Sequence, residues 1–364
     1  MHSWMKMSRG EKAAAYYAQE LRTRHYMEKH LDRILNTDIL AIDEISMMHP
    51  NFFIKMDEVL RLVRKKKEPF GGIQIIAFGD FYQLPPVIKE KDVFLDFCFE
   101  TPLWKEANFQ TTLLTKIYRQ QGDATFAELL NRMRIGELTD ADIRALASRE
   151  LNPSDYPNDC LFLFPDNANA NIYNINMLEE LPTEEKTYLG EDSTTGTTPA
   201  AIKLFMDRLD KEVLAPKELV LKEEARVILL KNISFECGLV NGSMGTITSL
   251  GTRTISIDFD NGESVSIEKD KFEIHDGEDV VATREQFPLK LAYGLTIHKS
   301  QGMTLDKVCV DLKRVFADGQ MYVGLSRCKT LEGTFLKGFN PNKVYVNPKV
   351  RQFYENLIRE KTTA

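Results

Sequence analysis

Ile39-Leu40-Ala41-Ile42-Asp43-Glu44-Ile45-Ser46-Met47 is a short apolar run that stops abruptly at two acids. Four successive apolar residues without alternation fit a strand buried on both faces, the kind that parallel sheets contain. A helical pattern follows from Phe52 to Lys67, with Phe52, Phe53, Met56, Val59, Leu60 and Val63 at helical spacing. After Gly71-Gly72 a second apolar run, Ile73 to Phe78, is cut off by Gly79-Asp80 and leads into Phe81-Tyr82-Gln83-Leu84-Pro85-Pro86. Strand, helix, strand in this order predicts a parallel α/β sheet with its functional groups at the strand ends.

Asp followed by Glu at such an end is what a nucleotide-hydrolysing site requires. The first carboxylate can hold Mg2+ and the second can polarise the attacking water. The competing reading is a solvated strand end. Gln83 can donate to a γ-phosphate oxygen or to that water, with two prolines stiffening its loop. Its competing reading is a surface turn.

The chain has 364 residues, more than one hydrophobic core usually spans, so two or more domains are expected. Hydrophobic residues at 43% and charged residues at 28% exclude a disordered or fibrous chain. A net charge of −7 argues against a uniformly basic duplex binder but leaves room for a locally lined strand groove. The five cysteines form no C-x-x-C pair, which points to a reducing compartment without structural zinc. The localisation expected is intracellular, nucleus and/or mitochondrion in a eukaryote and cytoplasm in a bacterium. No apolar run approaches the length of a membrane span.

The rest of the pattern extends the α/β reading. Helices are predicted from Arg9 to Asn36, within Ala124 to Glu150, from Leu289 to Ile297, from Gly319 to Arg327 and from Val350 to Arg359, with strands at Cys160–Phe164, Val308–Leu312 and Thr334–Leu336. Thr183 to Thr198 is polar and rich in Thr and Gly, and reads as a surface loop. From Arg226 to Ile274 short β strands take over, with Asp260-Asn261-Gly262 as a hairpin turn, which suggests a small β barrel. The basic run Arg64 to Lys67 reads as a solvated helix end rather than a DNA contact. Trp4, Phe81 and Tyr82 are candidates for stacking on bases, with core packing as the alternative.

The segments Asp43-Glu44-Ile45-Ser46-Met47 and Gly79-Asp80-Phe81-Tyr82-Gln83-Leu84-Pro85-Pro86 resemble motifs II and III of Pif-type and RecD-like helicases, the 5′-to-3′ branch of superfamily 1. Further motifs follow in order. Leu114 to Gln120 resembles motif IV, Thr296 to Asp306 resembles motif V, and Tyr322 to Cys328 resembles motif VI. The resemblance implies two RecA-like parallel-sheet domains with a small β-barrel insertion in the second. The expected boundaries are 1–112, 113–234, 235–285 for the barrel, and 286–364.

What the resemblance implies for the site is specific. Asp43 is the Mg2+ ligand and Glu44 the catalytic carboxylate. Gln83, Arg119, Gly302 and Arg327 face the nucleotide, Arg119 reaching the γ-phosphate and Arg327 acting as arginine finger. His298, Lys299, Ser300 and Gln301 contact single-stranded DNA, and so do His2 and Ser3, because His2-Ser3-Trp4 resembles motif Ia. Expected partners are ATP and single-stranded, forked or structured DNA, with no membrane and a monomeric motor. The implied processes are replication, repair, recombination and telomere maintenance. Met244 departs from the family pattern, where a basic residue often follows Gly242-Ser243.

No Gly-Lys dipeptide occurs in these residues, so the phosphate loop G-x-x-x-x-G-K-S/T is not among them. The expectation is a first domain without its initial strand, loop and helix, and negligible ATP hydrolysis by these residues alone. Two other readings stay open: the helicase portion of a rolling-circle transposon protein, and a non-catalytic nucleic-acid-binding derivative of a helicase.

Overall fold

The computed structural model describes residues 2–5, 13–86, 95–152, 155–157, 160–276 and 279–363. The chain forms two compact units, Met1–Asp155 with Gln301–Ala364, and Tyr156–Ser300. Among the described residues no helix is long and apolar enough to cross a membrane.

In the first unit the strands Ile39–Ile42 and Gln74–Ala77 pair in parallel, Ile39 opposite Gln74 and Ile42 opposite Ala77. The helix Pro50–Arg64 connects them. Pro50 opens it, where a missing N–H costs nothing, and His49 Nδ1 accepts from Asn51 N–H at 3.1 Å. Its inner face, Phe53, Met56, Val59, Leu60 and Val63, is almost wholly buried. Arg64 at its end is not the solvated side chain expected: its guanidinium donates to the carbonyls of Ile34, Leu35, Thr37 and Gly71. The expected helix from Arg9 is two helices, Ala14–Thr23 and Glu28–Leu35, broken where Arg24 turns extended; residues 6–12 lie outside the described residues. The same unit holds the helices Ala124–Ile135, Asp140–Ala147 and Gln320–Leu325, the parallel strands Val308–Asp311 and Thr334–Lys337, and the C-terminal helix Pro348–Thr363. Phe53, Phe81, Phe97 and Val350 share one core, so this last helix is packed into the unit.

The second unit is mostly β. A five-stranded antiparallel sheet runs Ser264–Glu268, Thr254–Phe259, Met244–Leu250, Arg226–Leu229, Leu289–Leu291. The hairpin at Asp260-Asn261-Gly262 forms as predicted, with Ser264 opposite Asp258. Two expectations fail. Leu289 to Ile297 is not a helix but two strands, Leu289–Leu291 against Arg226–Leu229 and Gly294–Thr296 parallel to Leu161–Phe164. Thr183 to Thr198 is not a loop: Lys186–Leu189 pairs with Glu218–Leu221, and Glu191–Thr194 with the strand Asp279–Gln286.

A buried ion network fastens this unit. Arg284, 3% exposed, donates to both oxygens of Asp192 at 2.8 and 2.9 Å and to Asp210 at 2.6 Å. The pairing holds the Asp192 carboxyl below the usual carboxylate range. Arg284→Ala leaves the poorly solvated Asp192 with only Lys217, at 3.7 Å, and is expected to cost up to about 3 kcal/mol, read as a lower urea midpoint. An unchanged midpoint would mean that the carboxylate finds water.

Candidate active site

The two parallel strands leave their sheet together. Phe78 N–H donates to Ile42 carbonyl at 2.8 Å, and Ile45 N–H to Phe78 carbonyl at 2.9 Å. Gly79 suits this approach, because a Cβ there would stand 3.0 Å from Ile45 N and 3.3 Å from Ser46 N. Glu44 turns the chain in the left-handed region, φ 51° and ψ 49°. For a residue with a Cβ that costs on the order of 1–3 kcal/mol, so the surrounding structure must enforce it. Asp43 stays exposed, its Oδ1 accepting from Glu44 N–H at 2.9 Å.

Glu44 is half-buried, and burial is the main reason its pKa is raised. Gln301 pulls it back, Asp43 adds to the rise, Arg327 opposes it and Asp80 adds a little. These groups therefore share one electrostatic neighbourhood. The Gln301 amide nitrogen and oxygen are buried and make no hydrogen bond among the described residues, so Gln301 acts on Glu44 as a nearby dipole rather than a formed bond. Ser46 Oγ is likewise buried and unbonded.

Two guanidinium groups meet at Ser326. Arg119 Nη1 donates to its carbonyl at 3.2 Å, and Arg327 Nη2 to its hydroxyl at 2.9 Å. Arg119 Nε also donates to Thr304 Oγ1 at 3.0 Å, and Arg327 Nε to Val323 carbonyl at 2.9 Å. Gln120 fixes this junction through the carbonyls of Ser326 and Cys328. Arg327 is 3% exposed. Burial, then the charge of Arg119, pull its pKa down to about 10. Burial also lowers that of Arg119, while Glu44 acts to raise both. Neither arginine has a carboxylate within 4.0 Å among the described residues, so an anion placed between them and Glu44's strand end would be favoured.

The loop after Gly79 is organised by Asp80. Arg134 Nε and Nη2 each reach one Asp80 oxygen at 2.7 Å, and the Tyr354 hydroxyl donates to Oδ1 at 3.2 Å. Gln83 follows, its N–H on Asp80 carbonyl at 2.9 Å and its Nε2 at 3.5 Å from Oδ2.

Of the residues singled out in the sequence, Glu44, Arg119, Arg327 and Gln301 lie in one neighbourhood, and Gln83 is tied to it through Asp80. Gln301, expected on the DNA, sits by Glu44. His298, Lys299 and Ser300 belong to the other unit. There Lys299 is exposed, burial lowers the pKa of half-buried His298, and the fully buried Ser300 hydroxyl donates to Ile297 carbonyl at 2.8 Å, turned inward rather than toward a strand. Gly302 is exposed with φ 86°. The side chains of His2 and Ser3 lie outside the described residues. Phe81 and Tyr82 do not offer free faces: Phe81 is edge-on to Phe97, Phe99, Trp104 and Phe353, and Tyr82 stacks on Tyr354. Trp4 packs against the core. Sequence reasoning missed Asp80, Arg134 and Tyr354; the acid directly after Gly79 was the only local signal.

A parallel strand pair whose ends carry Asp-Glu and Gly-Asp thus stands in the same unit as one buried guanidinium group, Arg327, and one half-buried, Arg119. Residues 2–144 match the model of the PIF1-like helicase family and residues 204–250 that of the 2B domain of DNA helicase Pif1. The chain belongs to the PIF1-like helicase family. It is 38% identical over 331 residues to the ATP-dependent DNA helicase PIF1 of Homo sapiens, covering 89% of this chain and 50% of that protein. To ATP-dependent DNA helicase Pif1 of Bdellovibrio bacteriovorus it is 34% identical, covering 90% and 72%. The crystal structure of Pif1 helicase from Candida albicans superposes with a TM-score of 0.87 at 32% identity, over 98% of this chain and 84% of that one. Bacteroides Pif1 bound to single-stranded DNA superposes with a TM-score of 0.77 at 28% identity, over 99% and 84%. The chain spans about half the length of most of the curated relatives it matches.

Proposed function

We propose that this chain forms the strand- and nucleotide-responsive part of an ATP-dependent, 5′-to-3′ DNA helicase acting in replication, repair, recombination and telomere maintenance. The observation that carries the reading is the shared neighbourhood of Glu44, Gln301, Arg119 and Arg327, with Gln83 held beside it by Asp80. Related proteins support it: the human relative is named an ATP-dependent DNA helicase, and Bacteroides Pif1 is known in complex with ADP-AlF4.

ATP is the substrate, and its phosphoryl transfer to water supplies the driving energy. Mg2+ is commonly held by one or two carboxylates plus phosphate oxygens, and Asp43 offers an exposed carboxylate at the strand end. Glu44 accepts the proton of the attacking water, Gln83 orients that water, and Arg119 and Arg327 stabilise charge on the transferred group. The orphan Ser46 hydroxyl and Gln301 amide beside Glu44 fit such a polar occupant, which would give both a partner. In this reading residues 1–112 belong to the first RecA-like domain, 113–234 and 286–364 to the second, 235–285 to its insertion, and the motor works as a monomer.

The test is unwinding of a forked duplex by the protein its complete reading frame encodes. ATP-dependent opening of substrates with a 5′ tail, and not of those with a 3′ tail, is expected. Tight strand binding with no ATP-dependent opening would replace the helicase by a binding protein. Lys299→Ala is expected to weaken single-stranded DNA binding equally across sequences and to flatten the slope of log affinity against log salt by about 0.7. An unchanged slope would remove Lys299 from the phosphate contacts.

A further inference from the structure

Asp80 is held from three directions within one unit. From its own loop it accepts Tyr82 N–H at 3.1 Å and carries Gln83. From the helix Ala124–Ile135 it takes a two-pronged ion pair with Arg134, the carboxylate 16% and the guanidinium 28% exposed. From the C-terminal helix it takes the Tyr354 hydroxyl, which also accepts Phe81 N–H at 3.1 Å. The Tyr82 and Tyr354 rings stack 4.7 Å apart at 10°, and the Arg134 guanidinium lies 4.7 and 5.4 Å from their centroids. Burial works against the charge on Arg134, but hydrogen bonds and attraction from Asp80 outweigh it and raise its pKa, so the cation is permanent.

Two further features make this cluster more than a surface ion pair. The helix that ends near Arg134 begins at Ala124, shortly after the Arg119-Gln120 junction; Asp123 caps it and also accepts Leu331 N–H. One rigid helix therefore joins the pair of guanidinium groups to the Gln83 loop. On the loop's other side Gly319 takes φ 69°, and a Cβ there would fall 2.3 Å from Tyr82 carbonyl oxygen and 2.7 Å from that of Gln83. The backbone of Tyr82 and Gln83 is thus clamped between Asp80's partners and Gly319.

We propose that Arg134 and Tyr354 are positioning residues that hold Asp80, and through it the loop carrying Gln83, in the orientation that turnover requires. This rests on the reading that Gln83 orients the attacking water. A bidentate ion pair with a planar guanidinium fixes angle as well as distance, which a lysine cannot reproduce. The Tyr354 hydroxyl adds a bond to the carboxylate and one from the loop backbone.

The experiment compares Tyr354→Phe, Arg134→Lys and Gln83→Ala in the protein encoded by the complete reading frame. It measures kcat and KM for ATP in the presence of single-stranded DNA, melting temperature, and amide exchange at Phe81 and Tyr82. Misplacing a reacting group by an ångström can cost about a hundredfold, so a partly loosened loop is expected to lose about three- to tenfold in kcat for Tyr354→Phe and more for Arg134→Lys. KM and melting temperature stay near the parent values while exchange at Phe81 quickens. A purely structural role would lower the melting temperature and leave kcat per folded molecule intact. If Arg134→Lys does not fold, Tyr354→Phe, which removes one hydroxyl, decides alone. Parental kcat in the positioning variants alongside a large loss in Gln83→Ala overturns the proposal and spares the reading of Gln83. Parental kcat in Gln83→Ala removes that reading and the proposal with it.

Discussion

Arg327→Ala in the complete protein is expected to lower DNA-stimulated ATP turnover by about 10³- to 10⁵-fold, the range an arginine finger contributes. Single-stranded DNA affinity should change little, because Arg327 is 3% exposed and its hydrogen bonds go to Val323 and Ser326. The size of the effect follows from the electrostatics. Arg327 is desolvated and repelled by Arg119, so its cation is under tension that a negative charge between them relieves. That relief grows as charge spreads over a transferring phosphoryl group, so it favours the transition state over the bound substrate. Arg327→Lys should recover little of the loss, since a point charge cannot bond Val323 and Ser326 and still face the nucleotide. Turnover within tenfold of the parent in Arg327→Ala would remove Arg327 from the chemistry.

The parts of the site that could be read from sequence are those written in contiguous residues. Ile39 to Ile42 announces a strand, and Asp43-Glu44 marks its end, but the expected burial on both faces fails: Leu40 and Ile42 are buried while Ile39 is 57% exposed, because only one face of this strand is covered. Asp260-Asn261-Gly262 announces a hairpin because the turn's conformational demand is local. Leu289 to Ile297 misled because its apolar residues suit helix and strand alike, and its partners, Arg226–Leu229 and Leu161–Phe164, lie far along the chain. The Thr-rich stretch around Lys186–Leu189 was lost for the same reason, its partner being Glu218–Leu221. Asp80 is the clearest case: Arg134 stands 54 residues away and Tyr354 274 residues away. No local pattern reports a contact at that separation. Composition could not decide between a stacking platform and a core ring at Phe81, because both uses call for the same residue type.

Glu44→Gln is expected to reduce turnover by about 10²- to 10⁴-fold, the contribution of a positioned general base, while nucleotide and strand affinity persist. The more discriminating result concerns stability. Burial first, then the Asp43 carboxylate, raise the pKa of Glu44 in the folded protein above its ordinary value. A carboxyl whose folded pKa is raised binds its proton more tightly when folded, so its contribution to stability is fully present below the unfolded pKa and is lost as pH rises through the folded one. At neutral pH the ionised Glu44 is a net cost to the fold, and an uncharged glutamine of the same shape removes it. Glu44→Gln should therefore melt at the parent's temperature or above it at pH 7, with the advantage fading as pH falls and the parent's carboxyl becomes protonated. Activity runs the other way: only the carboxylate can accept a proton, so parent turnover falls once falling pH protonates Glu44. A residue that the fold would be more stable without, and that activity requires ionised, is one kept for its chemistry. A Glu44→Gln protein that melts well below the parent at pH 7, or that turns over ATP at the parent's rate, would sink this account of Glu44.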